Sequence, residues 1–175
     1  MICDTGCRRL LGILIVDVAC VVLMAGCVGY QLGSTLSKNL TSIAVPTFIN
    51  KCGEPQIEND TTSATKSEFQ KDGTLSIASA DEADLILDVT LSKYTLQPLQ
   101  YFKTDPKTAN QYRLILTADI VLTQAKTKKV LLKKTVTGQT TFYPGGDINS
   151  AKRTALPNGA ADLAHFIVEN VVETW

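Results

Sequence analysis

The sequence predicts an α+β domain, a two-layer sandwich in which a mostly antiparallel four- to five-stranded sheet carries two helices packed on one face. Three observations predict it. Residues 85–97 and 111–123 alternate apolar and polar side chains at the strand period of two. A polar hairpin loop, Lys126-Thr127-Lys128-Lys129, joins the second of these to a further strand, 130–141. The chain then ends in an apolar stripe of Ala160, Leu163, Ala164, Ile167, Val168, Val171 and Trp175, at the three-and-four spacing of a helix.

Taken in order, the chain opens with Arg8 and Arg9 ahead of an apolar run from Leu10 to Leu23, closed by Leu23-Met24-Ala25-Gly26-Cys27. That is the layout of a secretory signal ending in a lipobox, in which Cys27 is lipidated and becomes the mature N-terminus. The run is shorter than the about 20 apolar residues that span a bilayer, which opposes the other reading, an uncleaved signal anchor. Asp17 in its middle departs from the pattern, since an unpaired charge opposes insertion. Residues 1–26 are thus expected to be signal peptide, 27–41 a lipidated Gly/Ser/Thr-rich tether, and 42–175 the folded domain.

Ser42 to Phe48 forms a short strand with Ile43 and Val45 on one face, and Pro46, which donates no ladder hydrogen bond, belongs at an edge or a strand end. Residues 54–71 form a weakly amphipathic helix through Ile57, Thr61, Ala64 and Phe69, stopped by Asp72-Gly73. Leu75 and Ile77 make a brief strand. The alternation in 85–97 puts Leu85, Leu87, Val89 and Leu91 on one face, and 111–123 does the same with Tyr112, Leu114, Leu116, Ala118, Ile120 and Leu122. The last helix is expected to start at Asn158 as its cap, with Pro157 separating it from a turn over 149–156.

Composition narrows the function. Lys+Arg and Asp+Glu are both 17, so no global field draws the chain to nucleic acid. Of five cysteines, Cys3, Cys7 and Cys20 leave with the signal, so Cys52 has no partner for an internal disulfide. The one histidine, His165, lies in the last helix, and one histidine with one thiol is too few for a zinc site. Gly145 and Gly146 lack a following Walker lysine and belong to a loop. The pair Asp81/Glu82 lies in a turn without the apolar surroundings that split carboxylate pKa values. No catalytic constellation, metal site or cofactor is expected. What remains is a basic set, Lys93, Arg113, Lys133 and Lys134, on neighbouring strands with Tyr94, Tyr101 and Phe102 close in sequence. Such a set suits a phosphorylated amphiphile, cations on phosphates and rings along apolar or sugar surface. It equally suits a solvated sheet face whose edge lysines discourage aggregation. Lys133 and Lys134 are adjacent, so only one shares a face with Arg113.

Four segments together resemble the LptE family of lipopolysaccharide-assembly lipoproteins: Cys27-Val28-Gly29-Tyr30-Gln31-Leu32, Ser42 to Asn50, Ala83-Asp84-Leu85-Ile86-Leu87, and Ala161-Asp162-Leu163-Ala164 through Ile167-Val168-Glu169 to Glu173-Thr174-Trp175. The resemblance implies an outer-membrane lipoprotein lodged in an LptD-like barrel protein, plugging it, contacting lipopolysaccharide, and held to the membrane by its N-terminal lipid. Val28 stands where an inner-membrane retention signal resembling that of enteric bacteria would have aspartate, which favours the outer membrane. The alternative is a lipoprotein that regulates a cell-wall (peptidoglycan) enzyme. Two long paired strands with a basic face distinguish the first reading.

Overall fold

The computed structural model describes residues 40–173 except Pro106. The expected signal peptide, Cys27, nearly all of the expected tether, and Trp175 lie outside the described residues. The order is β1 (Ser42–Ala44), β2 (Ile49–Asn50), α1 (Ile57–Asp72), β3 (Ser76–Ile77), β4 (Leu85–Tyr101), β5 (Ala109–Gln124), β6 (Val130–Phe142) and α2 (Ile148–Glu173). The strands form one six-stranded sheet in the order β3-β1-β4-β5-β6, with β2 also on β4. The α+β architecture is the expected one. The sheet is mixed: β4, β5 and β6 are antiparallel, whereas β1 runs parallel to β3 and β4, and β2 parallel to β4. A parallel pair needs a long crossover, and α1 supplies it between β1 and β3.

The expected first strand is split. Ile43 pairs with Leu85 and Ile49 with Thr90, so β1 and β2 lie along the same edge of β4 with Pro46 in the gap between them. Proline cannot donate to the ladder, which is why pairing lapses there. Beyond Leu91 no strand among the described residues covers that edge of β4, and this is where Pro98 is tolerated.

Helix α1 is polar by composition because threonines build much of its buried face. Thr61, Thr62 and Thr65 are buried beside Ile57 and Phe69. Their hydroxyls donate back to the carbonyls of Ile57 at 2.6 Å, Glu58 at 2.6 Å and Thr61 at 2.8 Å, which removes the desolvation cost of burying them. Thr62 also accepts the Phe48 N–H at 3.0 Å, tying α1 to the segment between β1 and β2. Gly73, at φ 74°, closes the helix and donates to the Phe69 carbonyl.

Helix α2 corrects the expected boundary. It is one helix from Ile148 to Glu173 and runs through Pro157, so Asn158 is not its cap. Asp147 supports the start instead, accepting the N–H of Asn149 at 3.0 Å and the hydroxyl of Ser150 at 2.5 Å. An interior proline costs about 3 kcal/mol. Burial of Ala155, Leu156, Gly159 and Ala160 on both sides of it offsets that cost.

The two helices pack against each other, and α2 lies over β5 and β6. The core between the layers joins Leu85, Leu87, Val89 and Leu91 of β4 and Leu114, Leu116, Ala118, Ile120 and Leu122 of β5 to Leu163, Ile167 and Val171 of α2. The closest approach falls at Gly138 of β6, where a Cβ would lie 2.5 Å from Leu163 Cα and 2.6 Å from Leu163 Cβ. Beside it Asp162 accepts the N–H of Gln139 at 2.7 Å, so α2 also caps part of the outer edge of β6. Among the described residues no helix is long and apolar enough to cross a membrane.

Candidate functional site

Among the described residues the helices cover one face of the β4-β5-β6 sheet and leave the other open. Register assigns the open positions. Across the three strands they form rows: Gln97-Arg113-Thr141, Thr95-Ile115-Gln139, Lys93-Thr117-Thr137, Thr90-Asp119-Thr135 and Asp88-Val121-Lys133. Successive rows are about 7 Å apart, two residues of strand rise. The face is mainly threonine and glutamine, with Ile115 and Val121 half-buried among them.

Lys93 reaches this face because of an irregularity. Strict alternation from Leu85 to Leu91 would turn residue 93 toward the helices. A register shift between Leu91 and Lys93 inserts an extra residue, so Lys93 pairs with Thr117 and points outward while Tyr94 and Leu96 turn inward. Lys133 and Lys134 divide as alternation requires. Lys133 pairs with Val121 on the open face. Lys134 pairs with Ile120 on the helix side, where its ammonium donates to the Asn170 side-chain oxygen.

Three of the four basic residues therefore share the open face, yet they do not converge. Arg113 lies opposite Thr141 and Lys133 opposite Val121, about 27 Å further along β5. Lys133 shares its row with Asp88, and Asp119 lies in the next. Asp119 is engaged by the Thr135 hydroxyl at 2.6 Å. Rows 93 to 97 hold Lys93 and Arg113 and no carboxylate. Neither cation makes an ion pair among the described residues. The positive end of the face is thus the end nearer the β4–β5 hairpin tip.

On the helix side, a cleft of about 770 Å³ gathers Glu54, Asp60, Tyr94, Asp147, Lys152 and Arg153. Its charges answer one another. Lys152 pairs with Glu54 at 3.1 Å and sits 5.6 Å from the centre of the Tyr94 ring. Burial, then Glu54, then Cys52 push the Tyr94 phenol up to about 12. This cluster binds the starts of both helices to β4. Cys52, half-buried, directs its thiol to Asn50 Oδ1 at 3.1 Å. His165 is exposed on α2, with Nδ1 3.5 Å from Glu68 of α1. Among the described residues no group of three or more His, Cys, Asp and Glu side chains is placed to hold a metal ion.

Sequence reasoning places Tyr112 on the apolar face of its strand without a site role and passes over Asn110 and Tyr143; all three line a cavity at the hairpin end. The available signal was Phe142-Tyr143-Pro144 directly before the paired glycines.

A two-layer α+β module with one face of its sheet left open is the class of protein these features define. The family model of the lipopolysaccharide-assembly proteins, LptE, matches residues 40–171. The chain belongs to the LptE family, a non-enzymatic lipoprotein family. Among solved structures, similar folds include a DUF330 protein of Xanthomonas campestris, at TM-score 0.54 and 10% identity over 79% of this chain and 90% of that one. A hypothetical protein of Chlamydia trachomatis gives 0.52 at 7% identity over 75% and 95%. A minor lipoprotein of Acinetobacter baumannii gives 0.50 at 14% over 75% and 90%. At such identities the likeness is one of fold. No curated protein matches the chain in sequence.

Proposed function

We propose that this protein is an outer-membrane lipoprotein of the lipopolysaccharide assembly machinery, anchored by lipid on Cys27 and seated in an LptD-like barrel protein. It acts by binding. The observation that carries the reading, beside family membership, is the open face of three long strands, Leu85–Tyr101, Ala109–Gln124 and Val130–Phe142, backed by a complete core on the other side. Such a face offers a rigid wall whose hydroxyls and amides suit the polar interior of a barrel. The carboxylate-free rows with Lys93 and Arg113 suit the phosphates of lipopolysaccharide, with Lys133 partly offset by Asp88. Lys134, on the helix side, has no part in that contact.

The barrel role is tested by placing a photocrosslinking amino acid at Thr117, in the middle of the open face, and at Asn59 on α1. A large barrel protein crosslinked from Thr117 and not from Asn59 is the expected result. A peptidoglycan enzyme captured there would replace this reading with the regulator. The lipid contact is tested by lipopolysaccharide binding across a salt series. Arg113→Glu is expected to weaken it about tenfold or more, at roughly 1.5–3 kcal/mol per charge-assisted contact. Equal affinity with little salt dependence would return Arg113 to an ordinary solvated face.

A further inference from the structure

The end of the sheet that carries Arg113 also holds a cavity on its other face. Register shifts at Pro98/Gln100 and Gln100/Tyr101 break the regular pairing of β4 with β5 just before the hairpin tip. Between that tip, the loop after β6 and Ile148 of α2 lies a cavity of about 520 Å³. Gly145 and Gly146, at φ 57° and 110°, let the loop double back over it. Tyr112 and Phe142 stack with centroids 5.8 Å apart at 19°, which braces the Tyr112 ring in the wall. Phe102 and Tyr143 stand at the mouth, 45% and 66% exposed.

Three aromatic rings line this cavity together with Asn110, Thr108 and backbone of the glycine loop, and among the described residues no Asp, Glu, Lys, Arg or His does. Asn110 Oδ1 is buried and has no hydrogen-bond partner among the described residues. A charged ligand would leave its charge without a partner here. An acyl chain would find Ile148 as the only large aliphatic side chain among the lining residues. Flat rings beside amide and hydroxyl groups are complementary to a molecule with apolar C–H faces and polar hydroxyl edges. The volume is in the range of small-ligand sites.

We propose that the cavity lined by Phe102, Tyr112 and Tyr143 binds a neutral saccharide ring. This deepens the lipopolysaccharide-assembly reading and rests on it for the source of the sugar, the glycan part of the lipid. The cavity opens on the helix side of β5 whereas Arg113 faces the other way, so the two contacts are separable by mutation.

The test uses the full chain in a zwitterionic detergent free of sugar headgroups. Saturation-transfer NMR is recorded with D-glucose, D-galactose and N-acetylglucosamine, with hexanoate as a separate arm. Transfer to the ring protons of at least one sugar is expected. Tyr143→Ala and Phe102→Ala should each weaken it about tenfold, and Tyr143→Phe should keep most of it. Arg113→Glu should leave it unchanged even where that substitution weakens binding of whole lipopolysaccharide, so the sugar site and the phosphate face fail independently. Tyr143 is largely exposed, and an unchanged circular dichroism spectrum verifies that its replacement leaves the fold intact. No transfer from any sugar, equal transfer in wild type and Tyr143→Ala, or transfer from hexanoate in place of sugar would each overturn the proposal.

Discussion

Replacing Gly138 by alanine is the sharpest test of how α2 is held to the sheet. The added methyl would lie 2.5 Å from Leu163 Cα and 2.6 Å from its Cβ, and closer still to its backbone nitrogen. Ordinary carbon contacts begin at about 3.5 Å, so α2 must move by about 1 Å at this crossing. The obstacle is helix backbone and cannot be relieved by a rotamer change. Overpacking typically costs about 1–3 kcal/mol and occasionally more. Lifting Leu163 and Ile167, both fully buried, adds lost packing. Glycine's greater unfolded-state freedom returns only about 0.4–1 kcal/mol. A net loss of about 3 kcal/mol is expected, a large part of a typical 5–15 kcal/mol total. Gly159→Ala is the control. Its methyl would meet the tip of the Leu114 side chain at 3.1 Å, a group that can shift, while the helix gains up to about 1 kcal/mol of propensity. Urea unfolding of residues 34–175, followed by circular dichroism, gives both values. A Gly138→Ala midpoint within error of wild type, or one no lower than that of Gly159→Ala, would refute the close crossing of α2 over β6.

Three other outcomes follow from the structure. Ile167→Ala should cost on the order of 2–5 kcal/mol by the same assay, because the side chain is fully buried against the sheet. Asp84 accepts the Thr41 N–H at 3.2 Å and the Ser42 hydroxyl at 3.0 Å, and these, the Thr41 bond first, hold its carboxyl below the ordinary 3.8. A lowered folded value adds stability above the unfolded pKa that is lost as pH falls through the folded one, so the stability gap between wild type and Asp84→Asn should be full at pH 6 and close below about 3.8. Tyr94, raised to about 12 by burial first, should give a late step in an ultraviolet titration. Since its folded value is raised, its contribution is complete below pH 10 and disappears as pH climbs toward 12, and Tyr94→Phe should remove the late step.

The sequence by itself determined the layers and the buried face of each long element. Side-chain period is a local property: the two-residue alternation in 85–91 and 111–123 and the stripe from Ala160 to Val171 each state which face must leave water, whatever lies opposite. Asp72-Gly73 stopped α1 for an equally local reason, the left-handed conformation that glycine adopts freely. Tertiary structure decided what depends on partners. The extra residue between Leu91 and Lys93 exists only in the ladder with β5, and it sends Lys93 to the open face and Tyr94 to the helices. Pairing with Ile120 and Val121 placed Lys134 and Lys133 on opposite faces. A proline that would break an isolated helix is carried through α2 because both of its flanks are buried in the tertiary fold. Thr61, Thr62 and Thr65 pass as polar in the chain and serve as core once helical carbonyls accept their hydroxyls. The aromatic cavity brings residue 102 to residues 112 and 143 through a hairpin and a loop. No local pattern specifies that juxtaposition, because it is set by where the long strands end and by the helix packed across them.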